Sequence, residues 1–198
     1  MFIKTIKKQG SAKLIVKKSV FYSYIYPISN KNQIKNILLE IKKKHKQAKH
    51  IAYAYKISSF NKVDSSNCAS TLNNEERYSD DGEPSKTAGY PLLRIINNNN
   101  LTNILIIVAR VFGGIKLGMS GLMNAYSSAG ELLLQEVKII NEEVCEIIQI
   151  NTTLDKYSEL EILLKKNSIS YHSEFSNNSV KVKINISPEK RELLARWI

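Results

Sequence analysis

Residues 104–121, ILIIVARVFGGIKLGMSG, carry the clearest structural signal in the sequence. The first part of this stretch, Ile104 to Ala109, is an apolar run ending at Arg110; it is far too short to cross a bilayer and predicts a buried strand. Glycines then recur through residue 121, and residues 122–137 carry apolar side chains at helical spacing. We therefore expect a buried strand, a glycine-rich loop and a largely buried helix in succession.

Toward the amino terminus, β-branched and aromatic residues at 13–26 predict two short strands broken near residues 17–19. An apolar stripe at helical spacing then predicts a helix, capped by Ser29 or Asn30, with lysines in its last turns. The elements expected between this helix and the central stretch are a strand at 51–57, a long exposed loop at 58–90, and a strand at 92–96 that forms a hairpin with 104–110.

Toward the carboxyl terminus, the pattern restarts after Asn141. The elements expected there are a strand at 144–150, a helix from Thr152 or Thr153 to Lys166, a hairpin of 169–175 with 180–186, and a last helix opened by Pro188. Strand, helix, strand, strand, helix is the order of a ferredoxin-like α+β unit that lacks its final strand. We place a domain boundary near residues 138–143.

The charge of the chain is strongly asymmetric. The formal net charge is +11, and residues 1–56 hold 14 lysines against the single acidic residue Glu40. Such a cationic face attracts polyanions such as RNA or ribosomes in a salt-dependent way. Lysine, asparagine and isoleucine are abundant throughout, however, so compositional drift explains the same excess. The sequence leaves both explanations open.

Cysteine content and the amino terminus indicate the compartment. Cys68 and Cys145 form neither a disulfide framework nor a zinc-binding pattern, and we expect both to be reduced thiols. Lysine interrupts the first residues too often for a signal peptide. These features predict a cytoplasmic protein that neither enters a membrane nor is secreted, and no motif requires a cofactor.

A second conspicuous segment is the acidic turn, residues 80–91, with the sequence DDGEPSKTAGYP. Three carboxylates within four positions repel one another, which favours a nearby cation, a proton held at raised pKa or a basic partner. Their number permits Mg²⁺ or Ca²⁺ without requiring either. The alternative is a solvated Asp-Gly turn that packs its own loop.

The glycine loop, residues 112–121, offers a different chemistry. Glycines let backbone N–H groups approach a ligand, and the following helix start attracts anions, with Arg110 and Lys116 as counter-charges. The order of residues matches neither the P-loop nor the dinucleotide-binding pattern. Tight turns that dock a helix onto a sheet explain the same glycines. His50, just before a predicted strand, is a weaker candidate that could reach the acidic turn as a base or ligand.

Several sequence motifs of this chain resemble the signature of the IMPACT/YigZ family. They are DDGEPS at 80–85, TAG at 87–89, FGGIKLG at 112–118, GL at 121–122 with AYS at 125–127, and His50 with Ala54-Tyr55. The resemblance implies an α+β protein whose amino-terminal domain, residues 1–138, has the β-α superfold of ribosomal proteins and GHMP kinases. It also implies a ferredoxin-like domain at 143–198 similar to the last domain of elongation factor G.

The sequence departs from the family pattern at five positions. Lys86 stands where the family usually has Gly, Ala109 where it has Thr, Val111 where it has Tyr, Ser120 where it has Gly, and Asn124 where it has Arg. The missing arginine and aromatic residue weaken a strict nucleic-acid or anion site, whereas Lys86 returns positive charge.

The functional hypothesis is a non-catalytic, regulatory binder of RNA, ribosomes or translation-associated proteins. The resemblance adds that eukaryotic relatives restrain activation of the amino-acid-starvation kinase by binding its activator. The alternatives are a small enzyme with a metal on the acidic turn and a phosphate on the glycine loop, and an interaction module whose acidic turn docks a basic partner. The candidate binding residues are His50, Asp80, Asp81, Glu83, Lys86, Thr87, Arg110, Phe112, Gly113, Gly114, Lys116 and Gly118.

Overall fold

A computed structural model describes residues 2–60 and 72–198, so Cys68 lies outside the described part of the chain. The chain divides into two compact units, a larger one of Ile3–Glu142 and a smaller one formed principally by Glu143–Ile198. Both mix helices with strands, which confirms the expected α and β composition. No helix of the described ranges is long and apolar enough to cross a membrane.

The described elements run in the following order: β1 (Phe2–Ile6), β2 (Gly10–Val16), β3 (Ser19–Pro27), α1 (Asn32–Lys44), β4 (His50–Phe60), β5 (Leu72–Ser79), α2 (Gly89–Asn98), β6 (Ile104–Val111), α3 (Gly118–Gln135), β7 (Ile139–Glu143), β8 (Glu146–Thr152), α4 (Leu154–Lys166), β9 (Ser170–Ser176), β10 (Ser179–Ile186) and a 3₁₀ helix (Pro188–Leu194).

The larger unit is built on an antiparallel sheet of five strands in the order β2-β3-β6-β4-β5. The predicted buried strand is its central member, β6, in which Ile104 to Arg110 are all buried. Successive side chains point to opposite faces of a strand. Ile104, Ile106 and Val108 thus pack with α2 and α3, while Leu105, Ile107 and Ala109 pack on the α1 side.

Two sequence-based expectations about residues 58–98 are wrong. Leu92–Ile96 lies in helix α2 rather than in a strand, because short apolar runs do not distinguish a buried strand from a buried helix. Pro91 is compatible with the helix since it stands in its first turn, where a backbone N–H has no helical partner. The expected long loop also contains strand β5, which pairs with β4. This strand was not recognised in the sequence because β5 is an edge strand with mostly polar residues.

Most of the remaining predicted elements are confirmed to within a few residues. The exceptions are the last helix, which is a 3₁₀ helix ending at Leu194, and the start of α1, where Lys31 and neither Ser29 nor Asn30 is the N-cap. The break between β2 and β3 falls at Lys17 and Lys18, which both have positive φ. The smaller unit contains a three-stranded antiparallel sheet in the order β8-β10-β9, with the β9–β10 hairpin turning at residues 177–178. Helix α4 contributes Leu160 and Leu164 to the core of this unit.

A buried histidine, His45, lies on the α1 side of the sheet. His45 Nε2 lies 2.7 Å from the Tyr24 hydroxyl, and its ring stacks on Tyr22. Burial, with a smaller contribution from the positive charge of Lys44, lowers the pKa of His45 below its ordinary value. The folded protein therefore takes up the imidazole proton less readily than the unfolded chain.

This lowered pKa predicts a loss of stability on mild acidification. Because the unfolded chain binds the proton first, His45 contributes stability that is complete above pH ~6.5 and declines below it. Urea unfolding at pH 7.5 and 5.5 should show a smaller loss for His45→Gln than for the unaltered protein. An equal or larger loss in the variant would contradict this assignment.

Candidate functional site

Strand pairing brings the acidic turn and the glycine loop to one end of the five-stranded sheet. Arg110, near the end of β6, pairs with Phe21 of β3 on one side and with His50 at the start of β4 on the other. The glycine loop follows β6 directly, and its Gly113 N–H donates to the Ser19 hydroxyl at the start of β3. An added Cβ at Gly113 would collide with the Lys18 backbone, so glycine is required for this close approach.

The Asp80 carboxylate organises the acidic turn and the start of α2. Its Oδ1 accepts hydrogen bonds from the backbone N–H groups of Ala88 at 3.0 Å and Gly89 at 2.9 Å. Its Oδ2 accepts one from the backbone N–H of Lys86 at 2.9 Å. Ala88 and Gly89 are buried at the start of the helix, where backbone N–H groups lack helical partners and the helix dipole favours an anion. Asp80 thus caps α2 from outside the helix.

Asp81 ties the turn to strand β4. Its Oδ2 accepts a hydrogen bond from the Ile51 N–H at 2.6 Å, and its carbonyl oxygen accepts one from His50 Nδ1 at 2.8 Å. Because a carbonyl oxygen only accepts, His50 carries a proton on Nδ1. The sequence hypothesis that His50 reaches the acidic turn holds geometrically, with a backbone carbonyl as its partner.

Glu83 is the buried member of the turn. Its Oε1 accepts hydrogen bonds from Arg110 at 2.7 Å and from the Tyr126 hydroxyl at 3.0 Å. The side chains of Glu83 and Arg110 are only 3% and 7% exposed, so this is a buried ion pair. Burial, reinforced by the Glu83 charge, raises the pKa of Tyr126 far above its ordinary value and keeps its hydroxyl protonated as a donor.

A cleft of about 360 Å³ opens beside this ion pair. The residues that line it are Lys49, His50, Glu83, Pro84, Arg110, Phe112, Lys116, Leu117, Gly118, Met119 and Leu122. Phe112 and Met119 are 42% and 61% exposed, and the Arg110 guanidinium lies 5.5 Å from the centre of the Phe112 ring. The cleft therefore combines an apolar wall with cationic groups.

Four lysines lie at the same end of the sheet as the cleft. Lys17 and Lys18 form the β2–β3 turn, whose backbone lies against Gly113, while Lys49 and Lys116 line the cleft itself. We call these four residues, all exposed, the basic rim. None of the four forms an ion pair within the described residues. Glu83 is paired with Arg110, whereas the carboxylates of Asp80 and Asp81 accept only backbone N–H groups and keep their charge. Because the four lysines outnumber these two carboxylates, this end of the sheet has a net positive charge.

The structure brings together half of the residues expected from the sequence. His50, Glu83, Arg110, Phe112, Lys116 and Gly118 line the cleft. Those that do not line it are Asp80, Asp81, Lys86, Thr87, Gly113 and Gly114; Thr87 is buried and its hydroxyl donates to the Pro84 carbonyl, so it stabilises the turn. Sequence reasoning missed Lys49, Met119 and Tyr126. The position of Lys49 beside His50 was an available signal.

The carboxylates of the acidic turn stabilise the local structure and are not arranged as a metal site. Backbone and side-chain donors occupy oxygens of Asp80, Asp81 and Glu83, and the three carboxylates serve different partners. Within residues 2–60 and 72–198, no group of three or more His, Cys, Asp or Glu side chains is arranged to hold a metal ion. The donor set therefore does not support the metal-dependent alternative.

Comparison with known proteins defines the class of this molecule. The Impact N-terminal domain model matches residues 17–134, which lie within the larger unit and include the cleft. The chain belongs to the IMPACT family, as the sequence signature predicted.

Its relatives include bacterial members of that family. YvyE of Bacillus subtilis is 25% identical over 98% of this chain and 84% of its own length. YigZ of Escherichia coli is 29% identical over 62% of this chain, and the match spans about half, 55%, of YigZ. The crystal structure of a hypothetical protein superposes with a TM-score of 0.70 at 22% identity, covering 98% of this chain and 90% of that one. This last likeness concerns the fold alone.

Proposed function

We propose that this protein is a non-catalytic regulatory binder in translation that contacts RNA, ribosomes or translation factors through the basic rim and cleft. The observation that carries the proposal is the charge at that end of the sheet. The carboxylates of the acidic turn are satisfied internally, while Lys17, Lys18, Lys49 and Lys116 remain available to a polyanion. Membership in the IMPACT family supports the regulatory sense.

The proposal extends to two finer statements about architecture. The larger unit is assigned to the β-α superfold of ribosomal proteins and GHMP kinases, as the family resemblance implies. The smaller unit is ferredoxin-like, and its antiparallel strand order β8-β10-β9 supports that assignment. The domains would then be residues 1–138 and 143–198.

Binding to ribosomes and RNA across a salt series tests this function. Each lysine that contacts a phosphate releases a counterion, so affinity should fall as salt rises. Replacing Lys49 and Lys116 together by glutamine should weaken RNA binding on the order of tenfold and reduce the slope of log affinity against log salt by about 1.4 for a single strand. Gel shifts and cosedimentation with ribosomes measure both quantities.

A matched variant separates local from overall charge. Lys156→Gln with Lys166→Gln removes the same charge from exposed positions on α4 of the smaller unit. We expect this control to bind RNA nearly as the unaltered protein does. Absence of binding to RNA and ribosomes at low salt, or equal losses in both double variants, would refute the proposed role of the basic rim.

A further inference from the structure

The cleft contains an apolar wall that electrostatic attraction to a polyanion does not require. Phe112, Met119 and Leu122 line it on the side of the glycine loop and α3. Phe112 is the ring at its mouth, 42% exposed although an aromatic ring gains free energy when it is buried. An exposed aromatic ring within a basic rim is the arrangement used to stack unpaired bases.

The Phe112 ring packs near the buried side chain of Arg110. The Arg110 guanidinium lies 5.5 Å from the centre of the Phe112 ring and 5.7 Å from that of Phe21. Arg110 is in turn held by Glu83, which also accepts from Tyr126. Arg110, held by Glu83, therefore lies near the Phe112 ring in a fixed position and preorganises this wall, so a ligand need not order it on binding.

Arg110 also retains an unused hydrogen-bonding group. Its side chain is 7% exposed and lines the cleft, and its Nε has no hydrogen-bond partner in the described structure. A buried guanidinium nitrogen without a partner is costly and uncommon. A hydrogen-bond acceptor brought to this wall of the cleft by a ligand, with a small adjustment of Arg110, would satisfy it.

The glycine loop leaves room for such a ligand. Gly114 and Gly118 have φ of +86° and +72°, and an added Cβ at either would meet nothing within 4 Å. The backbone at the start of α3 is therefore unobstructed on that side. Lys49 and Lys116 flank the same space and supply charge for phosphates on both sides of a bound base.

From these observations we infer that the cleft is a subsite for one unpaired nucleotide of a single-stranded RNA, whose base stacks on Phe112 while the adjoining phosphates contact Lys49 and Lys116. The inference rests on the proposed function and deepens it. A cleft of about 360 Å³ is within the range of pockets for small ligands, and one base is a ligand of that class. In duplex RNA the bases are stacked and paired, so only single strands present one.

Fluorescence anisotropy with a labelled 12-nucleotide RNA, free and annealed to its complement, tests this inference on the full chain. The single strand should bind at least tenfold more tightly than the duplex. Phe112→Leu keeps an apolar side chain but removes the aromatic face, and should weaken single-strand binding about tenfold while leaving duplex binding unchanged. Phe175→Leu is the matched control, because Phe175 is 61% exposed in the smaller unit, and it should change neither affinity.

A second measurement uses the unaltered protein and does not depend on how the variants fold. Ultraviolet crosslinking to a single strand containing 4-thiouridine should yield adducts on the peptide that carries Phe112. Adducts confined to other peptides, equal binding of single strand and duplex, or equal losses in both phenylalanine variants would overturn the inference.

Failure of the inference is distinguishable from failure of the proposed function. If neither ribosomes nor RNA bind at low salt, both fall together. If ribosomes bind but saturating single-stranded RNA does not compete, the contact is with helical RNA or a protein, and only the nucleotide subsite is overturned. Competition by the single strand that requires Phe112 supports both.

Discussion

Replacing Glu83 by alanine should lower the free energy of unfolding by about 3–5 kcal/mol. The substitution leaves Arg110 as an uncompensated charge whose side chain is 7% exposed, and it removes the acceptor of the Tyr126 hydroxyl. Desolvation makes such an orphaned charge expensive. Urea unfolding at neutral pH measures the effect, and Glu131→Ala, at an exposed position on α3, should stay within about 0.5 kcal/mol of the unaltered protein.

A double variant separates the buried charge from the loss of packing. Glu83→Leu combined with Arg110→Met removes both charges and retains apolar volume, and should be clearly more stable than Glu83→Ala alone. If Glu83→Ala costs less than about 1 kcal/mol, or if the double variant is less stable than the single one, the ion pair does not brace the cleft as described.

Replacing Asp80 by alanine is expected to cost about 3 kcal/mol of stability. The change leaves the buried N–H groups of Ala88 and Gly89 and that of Lys86 without their acceptor, and each orphaned buried donor costs about 1–3 kcal/mol. Asp80→Asn should cost less, because the remaining oxygen still accepts from the start of α2. Thermal or urea unfolding distinguishes the three proteins.

Asp155 provides a control for the helix dipole. It stands in the first turn of α4, and Asp155→Ala removes an acidic residue from a helix start for which no side-chain cap hydrogen bond is recorded. Its cost should stay below about 1 kcal/mol. Comparable losses for Asp80→Ala and Asp155→Ala would mean that the dipole, and not the three N–H contacts, accounts for the contribution of Asp80.

These roles alter the meaning of charge reversal in the acidic turn. Reversing the charges of Asp80 and Asp81 would separate the docking of a basic protein from RNA binding only if both carboxylates were free of structural contacts. The structure shows that both carboxylates accept backbone hydrogen bonds, so their reversal disrupts α2 and the β4 contact first. Variants of the exposed lysines are therefore the more informative experiments.

Much of the fold was predictable because its signals are local. The run 104–109 is apolar throughout, as expected of a strand buried on both faces, and the glycines that follow Arg110 mark the turn into α3. Residues 92–96 were misassigned since five residues are too few to separate the two periods. The polar sequence of β5 carries almost no strand signal, and its partner β4 becomes known only from the tertiary pairing.

The site was predictable as a neighbourhood but not in its chemistry. The motifs around Asp81 and Gly114 indicated where to look, and six of the twelve candidate residues line the cleft. Whether a carboxylate faces solvent or accepts an internal N–H depends on loop geometry that spacing does not encode. Glu83 shows this best, since its partners Arg110 and Tyr126 are 27 and 43 positions away in sequence.

Amide chemical-shift mapping with a single-stranded oligoribonucleotide tests whether the basic rim and cleft form the binding surface. The protein labelled with ¹⁵N is titrated at low salt, and each perturbed amide is assigned. We expect the largest changes at His50, Gly114, Lys116 and Gly118, with the amides of α4 nearly unchanged. Perturbations confined to the smaller unit or to the lysine face of α1, with the cleft amides unmoved at saturation, would contradict this role of the basic rim and cleft.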